Sequence, residues 1–328
     1  MIPLSERDAP ARFTSIHLIG IPRLRKVRET HKRDKDGRDR MAGAPRPRRV
    51  LLVHGAWHGA WCWARVLAPL RVLGYEPEAI DLPGHGRSAA PLTDLHGDAD
   101  AVRARLDAIG EPTLLVGHSY GGMVITDAGT HDAVAGLAYV AAYLPDTGQT
   151  VLELFTVPAL PAGERPSELV AAVRFSHDRS EMRLHGDGVA GALYGDCDPA
   201  TQQWAIARLD AQSTASFTQA PRRVAWRSRP ATYVVCTQDR TIPAWLQRRM
   251  AVHADRVIDL PASHSPFLSM PERLAGVLAE ADSASGTGRA GRSGDADTRH
   301  APAPATTDDR PPGNHEDHDR RLEYRHRS

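Results

Sequence analysis

Between residues 48 and 281 the chain alternates short apolar runs with longer stretches whose apolar residues recur every three or four positions. Val50-Leu51-Leu52-Val53 is the first such run, and Tyr75 to Asp81, Thr113 to Val116 and Leu137 to Tyr143 follow it. Runs of this length, rich in β-branched residues and bounded by Gly or Pro, predict buried strands. Between them, Val66, Leu67, Leu70 and Leu73 share one face of a helix predicted from Trp61 to Leu73, which Gly74 ends. Leu95, Ala99, Val102, Leu106 and Ile109 repeat that spacing up to Gly110, and Met123-Val124-Ile125 with Ala128 suits a third helix. The alternation lapses from about 146 to 226, where Glu168 to Arg174 and Pro199 to Leu209 read as helical patches and no strand stands out. It resumes with strands at Ala231 to Cys236 and Arg256 to Leu260, and with helices at Ala244 to Val252 and Pro271 to Glu280.

Strand and helix in strict alternation predict an α/β fold: a doubly wound, mostly parallel sheet with helices on both faces. The 146–226 stretch is then a small helical insertion, a cap over the carboxyl ends of the strands, where ligands bind in such sheets. No internal repeat is present.

Composition changes the picture only at the ends. The chain has 328 residues and a net charge of +1. Residues 1–47 carry far more Lys and Arg than Asp and Glu, and 282–328 are dominated by Gly, Ser, Ala, Pro, Asp, His and Arg. Neither end can bury enough apolar surface to offset the entropy of ordering, so both are expected to be disordered, leaving one domain at 48–281. The basic N-terminal segment reads as a solvated tail, or as sequence upstream of a true start at Met41, rather than as a nucleic-acid-binding arm. Ile16 to Ile21 is too short for a signal peptide's apolar region, and no run has the length of a membrane span. Cys62, Cys197 and Cys236 are too widely spaced for a disulfide framework or a metal motif. The expectation is a soluble, cytoplasmic protein with no metal and no cofactor. Oligomeric state is not legible.

The chemistry centres on Gly117-His118-Ser119-Tyr120-Gly121, a G-x-S-x-G between a predicted strand and a predicted helix. In that context the serine occupies the tip of a strained turn that projects its hydroxyl from the sheet, and glycines flank it because strand and helix pass closely. A serine hydroxyl is a weak nucleophile at neutral pH and needs a base, itself oriented by a third group. Asp239 and His264 each lie in a loop just past a later strand, at the edge where the turn opens. Asp210 and Asp259 compete for the acid role, but the first lies in the cap stretch and the second inside a strand. His118, His85 and His54 read as structural. Backbone N–H groups of Ala56 and Tyr120 are candidates for an oxyanion hole. Trp57 and His58 are candidates for the substrate pocket, and Trp61 is as well explained by core packing.

Together VHGAWHGAWCW (53–63), DLPGHGRS (81–88), GHSYGG (117–122) and ASHSPF (262–267) resemble the α/β-hydrolase superfamily over the whole of 48–280. Tyr143-Leu144-Pro145-Asp146 fits the same branch, which holds small bacterial esterases of the pyrethroid-hydrolase type, plant methyl esterases and plant hydroxynitrile lyases. The resemblance implies a triad of Ser119, Asp239 and His264 in that chain order, a small helical cap, and a sheet that begins at the strand before the His-Gly loop. It implies a serine hydrolase of carboxylic esters, working on a small-molecule ester through an acyl-enzyme. The lyases of the branch need a threonine where this chain has Gly55 and a lysine where it has Ser265, which disfavours carbon–carbon lyase chemistry. A non-catalytic small-ligand receptor on the same scaffold is the alternative of a different class.

Overall fold

The computed structural model describes residues 48–156 and 160–287. The terminal segments expected to be disordered fall outside the described residues, apart from 282–287. The first strands and helices are β1 (Arg48–Val53), α1 (Ala64–Val72), β2 (Tyr75–Ile80), α2 (Leu95–Ile109), β3 (Thr113–His118), α3 (Gly121–Ala128) and β4 (Val134–Val140). After the cap come β8 (Ala231–Cys236), α8 (Ala244–Ala251), β9 (Arg256–Leu260), α9 (Pro266–Ser269) and α10 (Pro271–Thr287).

These six strands form one sheet in the order β2-β1-β3-β4-β8-β9, and every neighbouring pair is parallel. β1 is followed in sequence by β2 on one side and adjoined by β3 on the other, so the strand order reverses at β1 and β3. A crevice opens at such a reversal, beyond the carboxyl ends of the strands. β3 and β8 are buried along their whole length, as continuous apolar runs in a two-sided parallel sheet should be. Helices α1 and α10 pack together on one face and α2 and α3 on the other.

Two boundaries differ from the sequence expectation. β4 ends at Val140 although the apolar run continues to Leu144: Ala141 takes φ +44° and the chain leaves the ladder while still buried. Continuous burial hides the end of a strand from any periodicity. Helix α10 runs to Thr287, past Glu280 and into the stretch assigned to the tail. Asp282 on this helix is buried, pairs with Arg48 at the start of β1 and accepts a hydrogen bond from the Tyr75 hydroxyl at 3.2 Å. A local reading of a Ser- and Ala-rich sequence cannot anticipate partners more than 200 residues away.

The cap holds α4 (Val151–Phe155), β5 (Val173–Phe175), β6 (Glu181–Leu184), α5 (Gly188–Tyr194), α6 (Pro199–Ile206), β7 (Gln212–Ser213) and α7 (Ala215–Thr218). It is therefore not purely helical: β5, β6 and β7 make a small antiparallel sheet, and the helix expected at Glu168 to Arg174 is one 3-10 turn (Leu169–Ala172) leading into β5. These strands are two to four residues long, largely polar, and β7 joins β6 from far along the chain. No local apolar alternation marks them. The β5–β6 turn is set by Asp178, whose Oδ1 accepts from the Ser176 hydroxyl at 2.6 Å and from the Ser180 N–H at 3.1 Å.

Helix α3 starts so close to the segment after β4 that a Cβ on Gly122 would overlap the Tyr143 carbonyl oxygen, a backbone atom that cannot rotate away. Gly122→Ala should therefore cost about 3 kcal/mol or more of stability, measured by urea denaturation, against less than about 0.5 kcal/mol for Gly188→Ala, where a Cβ meets nothing.

Candidate active site

The carboxyl edge of β3 presents Ser119 at φ +52°, in the left-handed region that a residue with a side chain seldom adopts. The strain is held by the packing around it. A Cβ on Gly117 would lie 2.6 Å from the Gly121 carbonyl oxygen, and one on Gly121 2.7 Å from that of His54, so glycine is required on both sides of the turn. Ser119 N–H donates to the Val140 carbonyl at 3.3 Å, and the Ser119 carbonyl accepts from Gly122 and Tyr143 at 3.0 and 3.1 Å. The residue is 8% exposed. Among the described residues no hydrogen bond joins its hydroxyl to His264.

The loop after β1 lies directly over this turn. A Cβ on Gly55 would be 2.8 Å from both Ser119 Cβ and His118 Nδ1. His54 fixes the loop from behind: its Nδ1–H donates to the Gly55 carbonyl at 2.8 Å, and its Nε2 accepts from the Leu82 N–H at 3.1 Å. Burial drives the His54 pKa well below its ordinary value, which suits a neutral ring with one donor and one acceptor. Neither the Ala56 nor the Tyr120 N–H meets an acceptor among the described residues. Tyr120 itself is anchored, since its hydroxyl donates to the buried Asp98 carboxylate at 2.7 Å and its ring stacks on Phe217.

Asp239 and His264 come together beside this edge. His264 Nδ1 stands 2.7 Å from Asp239 Oδ2, with the two side chains 1% and 0% exposed. The carboxylate is saturated. Oδ1 accepts from the Thr241 and Ile242 N–H groups at 2.7 and 2.9 Å, and Oδ2 also accepts from Gln247 Nε2 at 2.9 Å. A buried carboxylate with every lone pair engaged has a fixed orientation, and it fixes the ring that it holds. His118, adjoining Ser119, donates from Nε2 to the His264 carbonyl at 2.8 Å, so the turn and the histidine loop are directly linked. Burial and the neighbouring His264 hold His118 well below its ordinary pKa.

The competing acids are engaged elsewhere. Asp210 accepts from the Gly86 N–H at 2.8 Å, and Asp259 pairs with Arg248 at 2.7 Å on the surface. Trp57 and His58, the sequence candidates for pocket lining, sit in the seam between core and cap with their polar groups occupied. Trp57 Nε1 donates to the Met182 carbonyl at 3.1 Å and its N–H to Gln212 Oε1 at 3.2 Å. His58 Nδ1 donates to the Ala56 carbonyl at 2.8 Å and Nε2 accepts from the Tyr194 hydroxyl at 2.8 Å. Sequence reasoning missed Gln247, though a glutamine on the apolar face of an amphipathic helix beside Leu246 and Met250 was a usable signal. It missed Tyr194, the partner of His58, because nothing local marks it. Among the described residues no group of three or more His, Cys, Asp or Glu side chains could hold a metal ion, and no helix is long and apolar enough to cross a membrane.

A parallel sheet with a strained serine turn at its point of strand reversal, an Asp–His pair at the ends of later strands and a cap over them defines the α/β-hydrolase fold. The alpha/beta hydrolase family model matches residues 50–277, and the chain belongs to that family. The pyrethroid hydrolase of Sphingobium wenxiniae is 31% identical over 246 residues, which are 70% of this chain and 86% of that protein. Methylesterase 2 of Arabidopsis thaliana is 30% identical over 267 residues, 74% of this chain and 99% of that protein. Among solved structures, the pyrethroid hydrolase from Sphingobium faniae superposes with a TM-score of 0.64 at 27% identity, covering 72% of this chain and 98% of that one. The chain is thus an esterase-type member of the family.

The buried histidines set the acid limit of the fold. Burial, opposed by the bond to the Ala56 carbonyl and aided by His264 and His85, lowers the His58 pKa to about 4. In the unfolded chain the same ring titrates near 6.5, so between these values the unfolded state binds the extra proton and stability falls as pH is lowered. His54 and His118 act in the same direction. Urea midpoints should therefore drop steadily from pH 6.5 towards 4, and His58→Gln should flatten that slope by up to one proton, about 1.4 kcal/mol per pH unit.

Proposed function

We propose that this protein is a serine hydrolase of carboxylic esters, with Ser119 as nucleophile, His264 as general base and Asp239 as the orienting acid. The 2.7 Å Asp239–His264 contact, buried beside a serine in a left-handed turn, carries the reading. Asp239 holds Nδ1 of the imidazole, which leaves Nε2 to take the proton of Ser119 as its oxygen attacks the ester carbonyl. That step needs Ser119 Oγ and His264 Nε2 in hydrogen-bond reach, a contact that catalytic sites often tighten only with substrate bound. The tetrahedral oxyanion is met by the Ala56 and Tyr120 N–H groups, whose lack of another described acceptor suits that role. Collapse expels the alcohol, which takes the proton from His264, and leaves an acyl group on Ser119. Water, deprotonated by His264, then releases the carboxylic acid and restores the serine.

The similarity to a pyrethroid hydrolase and a methylesterase supports ester substrates. Lyase chemistry is opposed by the space at Gly55, since a threonine there would press on Ser119 and His118, and by Ser265, which brings no cation. Three free thiols, two of them buried, suit a reducing, cytoplasmic setting.

The test is fluorophosphonate labelling read by intact mass, with p-nitrophenyl acetate and butyrate hydrolysis. The wild type should take one label and turn over ester. Ser119→Ala should take none and lose at least about a thousandfold in kcat. A folded wild type that neither labels nor hydrolyses ends the esterase reading. Gly55→Thr should lower kcat about tenfold or more by displacing Ser119, without producing lyase activity.

A further inference from the structure

Three loops carry the proposed machinery: residues 54–60 with Ala56, 237–243 with Asp239, and 261–265 with His264. Each is fastened to the same short piece of the cap. Helix α5 ends at Tyr194, and the chain continues through Gly195 to Asp196. The Ala192 carbonyl accepts from the Thr241 hydroxyl at 2.9 Å, in a buried bond. Thr241 is one of the two residues whose N–H groups hold Asp239 Oδ1, so part of the acid's support is itself supported by the cap. The Tyr194 hydroxyl donates to His58 Nε2, and His58 Nδ1–H donates to the Ala56 carbonyl, both at 2.8 Å. Only one sense of this relay is possible, because a carbonyl can only accept. The Asp196 carboxylate takes both donors of Ser263, its N–H at 2.9 Å and its hydroxyl. Ser263 directly precedes His264, whose own carbonyl is gripped from the other side by His118.

From this convergence we infer that residues 192–196 are a positioning element, in which three alternate residues of the cap set the register of the oxyanion, acid and base loops, with Asp196 positioning His264 through Ser263. The inference rests on the serine-hydrolase reading above. A cap that only covers substrate need not bond to the catalytic loops and would act on substrate affinity alone. Here the cap cannot lift as a rigid lid without releasing Ser263, Thr241 and His58 together. A misplacement of a base by about an ångström can cost about a hundredfold, so partial release of one loop should cost about tenfold.

The test uses the full chain with p-nitrophenyl butyrate, and the rate at which a fluorophosphonate modifies Ser119, which reports nucleophile activation with little demand on the cap. Asp196→Ala should lower kcat and the phosphonylation rate together by about tenfold, with KM within about twofold of wild type. Asp196→Asn should recover most of the loss, since its amide can accept from the Ser263 N–H and donate to Ser263 Oγ. Tyr194→Phe, which removes one oxygen from the relay to Ala56, should lower kcat by about threefold or more. Should Asp196→Ala fail to fold, Ser263→Ala carries the same test, with about a threefold loss expected. Unchanged kcat and phosphonylation with a raised KM, or an asparagine no better than alanine, overturns the inference and leaves the hydrolase reading standing. A wild type that neither labels nor hydrolyses brings down both, and is seen before any variant is made.

Discussion

Everything at the carboxyl edge of the sheet depends on how closely the backbone passes itself around Ser119. The start of helix α3 leaves no room for a Cβ at Gly117, the end of β1 none at Gly121, the segment after β4 none at Gly122, and the serine turn none at Gly55. Those four absences bring three backbone segments to the serine within van der Waals distance. They let the sheet's point of strand reversal become a site rather than a groove. The left-handed serine is the strain stored by this packing, and it persists because Val140, Gly122 and Tyr143 hold it through main-chain bonds. A local distortion costs on the order of 1–3 kcal/mol, which a fully buried parallel sheet around it can offset many times over.

Hydrogen-bond direction does the rest. His54, His58 and His118 each have one ring nitrogen on a backbone carbonyl, which assigns the proton to that nitrogen. Their second nitrogens are left as acceptors, and burial keeps the rings neutral. His54 and His58 thus serve as rigid two-ended struts, while His118 is tied through Nε2 alone and its buried Nδ1 meets no partner among the described residues. His264 differs in that its Nδ1 meets a carboxylate rather than a carbonyl. The same side chain takes a different setting in each place because of what faces its nitrogen.

The order of sheet strands and helices was legible because burial on both faces leaves uninterrupted apolar runs, and because Gly74 and Gly110 punctuate the helices. The Asp239–His264 pair was legible because both residues follow strands, and the parallel sheet brings all strand ends to one edge. The cap was not. Its strands are short and polar, and β7 finds β6 across about thirty residues of helix and turn. Nothing in the sequence says that Met182, Gln212 and Tyr194 occupy the polar atoms of Trp57 and His58. Long-range polar pairing carries no periodicity, so nothing marks it before the chain is folded.

That same pairing explains how an insertion can vary without loosening the site it covers. The cap reaches the core through directional bonds that include Met182, Asp210 and Gln212 on Trp57, Glu168 on Arg240, Arg222 on Asp127, and Ala192, Tyr194 and Asp196 on the loops around Ala56, Asp239 and His264. Phe175, by contrast, stands exposed on the cap's small sheet. A fold that shares one reaction among many substrates needs this separation, with a fixed frame for the transition state and replaceable walls for the ester. In this chain the division runs through the cap itself, between the residues that bond to the core and those that do not.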